Sequence, residues 1–219
     1  MDASARASDY WTTDAATRLG YANGVSVDPE KPADVELVGD FLARFPEWCE
    51  RAEAGADYLE LGCGVGGGLL AQLQLFPRLR ATAVEICADL VEEARARAER
   101  LGLTDRVEFV VADAAALDRP ASADLGFWSQ FFFPAPSRPG ARAAAHRAVR
   151  PGGLLAAPLV AAPARDDASH VAAFRARLAS WDIPLRTPAE LAAELRDAGF
   201  ADPRIVRSPL GRSLLVRRP

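Results

Sequence analysis

Apolar positions between Asp34 and Ala54 recur at three- and four-residue intervals, at Val35, Leu37, Val38, Phe41, Leu42 and Phe45. That period predicts an amphipathic helix, interrupted near Pro46 where a backbone donor is lost. After it the pattern changes character. Short apolar runs at Tyr58 to Leu61, Ala81 to Ile86, Val107 to Ala112 and Asp124 to Trp128 alternate with stretches of helical period, the first reaching about Phe76 and the second Leu101. On the second of these helices Leu90, Val91, Ala94, Ala98 and Leu101 share one side, and Glu92, Glu93, Arg95, Arg97 and Arg100 the other. Gly102 supplies its stop. A further helix is predicted from about Ala141 to Val149, before Pro151-Gly152-Gly153 opens a strand at Leu154. Thr187-Pro188-Ala189-Glu190 reads as a capping box with proline in the first helical position, and Gly199 ends the helix that follows. Two last strands, around Arg204 to Val206 and Ser213 to Val216, face each other across Ser208-Pro209-Leu210-Gly211. Alternation of this kind predicts a mostly parallel sheet with both faces covered. The stretch before about Pro32 has little period but holds Tyr10, Trp11 and Tyr21, so it reads as a mobile arm or a helical lid.

Length and charge narrow the picture without naming a task. A chain of 219 residues that is half apolar fits one α/β domain with a sizeable core. A net charge of −4 is the wrong sign for a basic nucleic-acid-binding domain, so no nucleic-acid partner is expected. Cys49, Cys63 and Cys87 are an odd set without CxxC spacing, which reads as reduced thiols and offers no zinc or iron-sulfur site. Met1-Asp2-Ala3-Ser4 starts no basic-then-apolar leader, and no run approaches the roughly 18 apolar residues of a membrane span. A cytoplasmic protein with no membrane partner, monomer or homodimer, is the expectation.

The sharpest feature is Asp57-Tyr58-Leu59-Glu60-Leu61-Gly62-Cys63-Gly64-Val65-Gly66-Gly67-Gly68, set where a buried strand gives way to a helix. Glycines there let the chain bend tightly and let a ligand approach without meeting a β-carbon. Plain packing of a strand-to-helix turn is the bland account of the same residues. Gly62, Gly64 and Gly67 also satisfy GxGxxG, the pattern of a dinucleotide site.

Glu60, Gly62, Gly64 and Gly66 satisfy the acidic-x-G-x-G-x-G pattern of the class I S-adenosylmethionine-dependent methyltransferases, which this stretch, with Cys63 inside it, closely resembles. Charge separates the two ligands. A carboxylate two residues before the first glycine repels a pyrophosphate, whereas it offsets the ammonium and sulfonium of S-adenosyl-L-methionine. Glu85, with Ile86 beside it, ends the second strand 19 residues beyond Gly66, where a carboxylate can accept ribose hydroxyls. In the family, an acidic residue followed by a small one after the third strand meets the adenine, which assigns Asp113 and Ala114. A lone Asp in that position otherwise caps a turn. Val149-Arg150-Pro151-Gly152-Gly153-Leu154 and Asp197-Ala198-Gly199-Phe200 resemble the family's later junctions. The resemblance implies a doubly wound, mostly parallel seven-stranded sheet in the order 3-2-1-4-5-7-6, the last strand antiparallel. It divides the chain into an N-terminal arm or helical lid, 1–54, and a cofactor-binding core, 55–219.

The fourth strand delivers Trp128-Ser129-Gln130-Phe131-Phe132-Phe133-Pro134 to the ligand edge. Trp128, Ser129 and Gln130 are expected to border the methionine part of the cofactor, with the phenylalanines lining an apolar pocket or simply buried beneath helices. Methyl transfer is an in-line displacement in which alignment does most of the work. Where the acceptor needs a base, His170 is the better candidate of the two histidines, His146 reading as structural. Gln130 and Tyr10 complete the candidate catalytic set, Tyr10 as part of a lid. The Asn/Asp-Pro-Pro-Tyr/Phe tetrapeptide of nucleic-acid adenine methyltransferases is absent after strand four. Asp124 begins its strand and Asp166-Asp167 follow strand five at a distance, so no metal site is expected. The expected activity is metal-independent methyl transfer to an oxygen, nitrogen or carbon of a small molecule. Aminocarboxypropyl transfer or cyclisation on the same cofactor, a nicotinamide oxidoreductase and a catalytically silent cofactor-binding module are the alternatives.

Overall fold

A computed structural model describes residues 13–159, 178–208 and 211–219, together with 172 and 176. Three helices come first: α1 (Ala15–Val25), α2 (Pro32–Leu42) and α3 (Pro46–Ala54). Pro32 and Pro46 each stand in the first helical turn, where the missing N–H has no partner to lose. The predicted single helix with an interruption is therefore two helices. The core then alternates β1 (Asp57–Leu61), α4 (Gly67–Leu75), β2 (Arg80–Glu85), α5 (Ala88–Arg100), β3 (Val107–Val111), β4 (Ala123–Trp128), α6 (Arg138–Ala148), β5 (Val149–Leu159), α7 (Pro188–Asp197), β6 (Ala201–Ser208) and β7 (Gly211–Arg217). The strands form one sheet ordered β3-β2-β1-β4-β5-β7-β6. Strands β1 to β5 pair in parallel, and β7 runs antiparallel to both β5 and β6.

Helix α6 and strands β5, β6 and β7 all start earlier than the periodicity reading places them. Helix α6 starts one turn before Ala141, with Pro139 tolerated in its first turn. Strand β5 starts at Val149, not Leu154, because Ala123 pairs with Val149 before the register shifts to Leu125 and Leu154. The capping box at Thr187 is present in both directions, with Glu190 N–H donating to Oγ1 and Thr187 N–H to the Glu190 carboxylate.

Each face of the sheet has its own core. Leu59, Leu61 and Trp128 point to the side of α6 and α7, where they meet Ala141, Ala145, Leu191 and Leu195. Tyr58, Ala83, Leu125 and Leu215 point to the side of α2, α3 and α4, packing on Val38, Trp48 and Leu69. A third cluster joins α1 to α5 through Ala22, Leu90, Leu178, Trp181 and Ile183. Arg18 on α1 ion-pairs with Asp89 on α5 at 2.8 Å. Arg97, on the polar side of α5 by its period, is buried because α1 covers it and Asn23 accepts its N–H.

Candidate cofactor and acceptor site

The parallel strands β1, β2 and β3 all end at one edge, and their last carboxylates meet there. Between β1 and α4 the chain turns through Gly62, Gly64 and Gly66, all with positive φ. At Gly62 the requirement is also one of space, since an added Cβ would stand 2.9 Å from the Phe133 ring. A cavity of about 730 Å³ occupies this edge and continues over the face of the sheet beneath α2. Gly62, Cys63, Gly64, Glu60, Glu85, Ile86, Asp113, Ala114 and Ser129 all line it.

Glu85 is buried and accepts three backbone N–H groups, from Gly64 at 3.0 Å, Ile86 at 2.9 Å and Cys87 at 3.1 Å. Burial pushes its pKa up, and those hydrogen bonds oppose the rise. Glu85 thus ties the glycine turn to the end of β2. Asp113 accepts the Ala115 N–H at 2.9 Å, capping the 3₁₀ turn Ala114–Ala116 while facing the cavity. The capping and ligand-facing readings of Asp113 are compatible.

Glu60 is 6% exposed, and its Oε2 accepts the Tyr58 hydroxyl at 2.5 Å. Burial pushes its pKa to about 7, with the Tyr58 hydrogen bond pulling the other way. Burial raises the Cys63 thiol well above its ordinary value, with Glu85 and Glu60 adding to the effect, so it is no nucleophile at neutral pH.

The remaining sequence candidates separate. Gly66 does not line the cavity; its added Cβ would press on Ala94 of α5 at 3.2 Å. Gly67 and Gly68, outside the predicted cofactor set, do line it. Trp128 and Gln130 lie behind the wall. Trp128 packs edge-on against Phe133 and under the Arg138 guanidinium, and the Gln130 amide donates to the Pro158 carbonyl at 2.9 Å. Phe131, Phe132 and Phe133 all face the cavity. Tyr21 stacks edge-on against Phe132 and Trp181, bringing α1 over the same edge. His146 packs on Phe200, beneath Gly199. Tyr10 and His170 lie outside the described residues.

Beyond Glu60 the wall becomes largely apolar, with Val25, Val27, Val38, Phe41 and Phe127, and with Ser26, Tyr58, Gln72 and Ser213 among its polar points. Among the described residues no Lys, Arg or His lines any part of it. These residues suit a group with a cationic end. The buried Glu60 carboxylate has one protein hydrogen bond, leaving Oε1 without one, and three glycines bring the backbone close beside it.

Residues 59–153 match the family described as a methyltransferase domain. The ribosomal protein L11 methyltransferase of Shewanella halifaxensis is 30% identical over 139 residues, 63% of this chain and 44% of that protein. The chain therefore spans less than half the length of that curated relative. Among solved structures, human N-acetylserotonin methyltransferase in complex with S-adenosylmethionine superposes with a TM-score of 0.71 at 17% identity, covering 100% of this chain and 60% of that one. The mitomycin 7-O-methyltransferase MmcR gives 0.67 at 22% identity, over 95% and 68%. The [4+2]-cyclase SpnF gives 0.65 at 19% identity, over 95% and 94%. Over residues 59–153 the chain is therefore similar in sequence to a methyltransferase domain, and its fold is that of these methyltransferases, one of them solved with S-adenosylmethionine bound.

Proposed function

We propose that the protein transfers a methyl group from S-adenosyl-L-methionine to an oxygen, nitrogen or carbon of a small molecule, without a metal. The observation that carries this reading is one continuous cavity joining a carboxylate-rich edge, Glu60, Glu85 and Asp113, to an apolar lobe under α2. When bound, the cofactor supplies a methyl group on a cationic sulfur.

The chain's own residues hold and align. Glu60 offsets the positive aminoacyl end, Glu85 accepts ribose hydroxyls through lone pairs its three amides leave free, and Asp113 with Ala114 borders the adenine. Ser129 and the phenylalanines that follow close the side nearest the sulfur, where aromatic faces attract a soft cation. The apolar lobe excludes water and takes the acceptor, so that alignment in a dry site does the work. Asp124 is far from this edge, at the start of β4, where it accepts the Asp57 N–H and pairs with Arg150 at 2.7 Å. That placement supports a reaction without a magnesium-binding carboxylate on β4. Residues 1–54 act as the cover and as the source of acceptor specificity.

A melting-temperature screen followed by a product assay tests the reading. S-adenosylhomocysteine should raise the melting temperature and NADH should not. A panel of phenols, amines and activated carbon acids should then reveal an acceptor that releases S-adenosylhomocysteine from S-adenosylmethionine. Stabilisation by NADH alone would overturn the proposal. Stabilisation by S-adenosylhomocysteine without turnover of any acceptor would favour non-methyl chemistry or a silent binding module.

A further inference from the structure

Behind Glu60 runs a buried line of polar side chains drawn from three elements. The Trp48 indole on α3 donates to Gln72 Oε1 on α4 at 3.0 Å, Gln72 Nε2 donates to the Tyr58 hydroxyl at 3.2 Å, and that hydroxyl donates to Glu60 Oε2 at 2.5 Å. Trp48 and Tyr58 are each 2% exposed, Gln72 is 5% exposed, and the two rings meet edge-on at 5.7 Å.

The direction of this chain is dictated by its far end. An indole N–H can only donate, so the Gln72 amide must turn its oxygen to Trp48 and its NH₂ to Tyr58. Tyr58 oxygen accepts that bond, which leaves its own proton for Glu60. Each donor polarises the next, and the whole line converges on one carboxylate oxygen. Plain satisfaction of buried groups would not need a carboxylate at the end; an amide oxygen would serve.

We propose that Tyr58 is a positioning residue for the cofactor's cationic end: with Gln72 and Trp48 behind it, its hydroxyl occupies Oε2 of Glu60 and leaves Oε1 as the docking atom for an ammonium. This rests on the cofactor reading given above. The surroundings of Glu60 favour it. At its register the flanking strands present Ala83 and Phe127, α2 presents Val38 and Phe41, and α4 presents Gln72. Among the described residues the titratable groups that interact with it are Tyr58 and Cys63, neither of them cationic at neutral pH. With no cation among the described residues beside it, Glu60 depends on Tyr58 for holding its charge, and on the ligand for the rest. The Tyr58 bond opposes the upward push of burial on Glu60, so its loss makes the carboxylate harder to ionise.

Calorimetry with two probes tests the proposal. S-adenosylhomocysteine carries the ammonium, whereas 5′-methylthioadenosine keeps the nucleoside and sulfur but lacks the aminoacyl end. Tyr58→Phe preserves the ring packing on Trp48 and should weaken S-adenosylhomocysteine at pH 7 by roughly tenfold or more, the size of a lost hydrogen bond to a charged group, while leaving 5′-methylthioadenosine within about twofold. Gln72→Leu, which keeps the tyrosine hydroxyl but removes its donor, should give a smaller loss with the same selectivity. Equal weakening of both probes, or no change in either variant, would overturn the proposal. A wild-type protein that binds neither probe would instead remove the cofactor reading on which it stands.

Discussion

A Cβ added to Gly67, the first residue of α4, would stand 2.1 Å from the carbonyl oxygen of Val27. The segment after α1 therefore lies directly on the start of the helix that follows the glycine turn, and Ser26 Oγ presses on the same point at 2.1 Å. Ser26 can rotate but the Val27 carbonyl is backbone and cannot swing aside, so Gly67→Ala should destabilise by about 1 to 3 kcal/mol through overpacking. Its neighbour Gly68 has nothing within 4 Å of an added Cβ, so Gly68→Ala should be neutral or stabilising by up to about 1 kcal/mol. Urea melts should place Gly67→Ala below the wild type and Gly68→Ala at or above it, and hydrogen exchange in α1 should rise only for Gly67→Ala.

Glu60 makes the ligand-free protein sensitive to pH. Its carboxyl is raised from 4.5 to about 7 in the fold, so the folded state holds the proton more tightly than the unfolded chain. The associated stability is fully present below about pH 4.5 and is lost as pH rises through 7. At about 1.4 kcal/mol for each pH unit the loss is on the order of 3 kcal/mol. Glu60→Gln should remove this part of the stability profile, seen as a flatter denaturant midpoint between pH 5 and 8. Binding of a cationic ligand should release a proton near pH 6.5 in the wild type and not in the variant, measured by calorimetry in buffers of different ionisation enthalpy.

Asp113 and Glu85, both proposed cofactor contacts, differ in how much of the scaffold they also hold. Asp113→Ala and Glu85→Ala should each weaken S-adenosylhomocysteine binding by on the order of 1 to 3 kcal/mol. Glu85 also gathers the N–H groups of Gly64, Ile86 and Cys87, so its removal should lower the melting temperature of the free protein more than that of Asp113 does. Unchanged affinity in both variants would count against the assignment of this edge to the cofactor.

Arg138 is 1% exposed and shares Glu194 with Arg142 and Arg186, at 2.6, 3.0 and 2.6 Å. Burial by itself raises the Glu194 pKa, but hydrogen bonds from Arg138 and Arg186 outweigh it and hold the carboxyl below its ordinary value. Glu194→Gln leaves a buried guanidinium among like charges and should cost about 3 to 5 kcal/mol. Because the pKa is lowered, this contribution is present above pH 4.5 and lost as pH falls through the folded value. The gap between variant and wild type should therefore narrow in acid melts. Arg138 also donates to the Gln130 carbonyl at 2.8 Å, so the loop carrying Phe131 to Phe133 should loosen along with it.

The legible parts of this molecule were those whose cause is local. Pro188 in a first turn, Thr187 with Glu190 and the glycine run after β1 each act over a few residues, and each stands where its spacing predicted. Where pairing across the sheet intervened, local reading fell short. Gly152 and Gly153 look like a turn before a strand, yet Gly152 N–H donates to Arg218 O and Arg218 N–H to Gly153 O, so the last residues of the chain help extend β5 back to Val149.

Sequence alone determined the alternation of strands and helices, the turn through Gly62, Gly64 and Gly66, and three carboxylates at the carboxyl ends of successive strands, because periodicity and backbone freedom are properties of neighbouring residues. The tertiary structure alone decided which side chains face the cavity. Ser129 and Phe131 face it while Trp128 and Gln130 turn behind the wall, and Val38 and Phe41 arrive from a helix outside the recognised motif. It also brought Trp48, Gln72 and Tyr58 into one line ending on Glu60. Such meetings depend on how three packed layers fill space across tens of residues, and no local spacing encodes that.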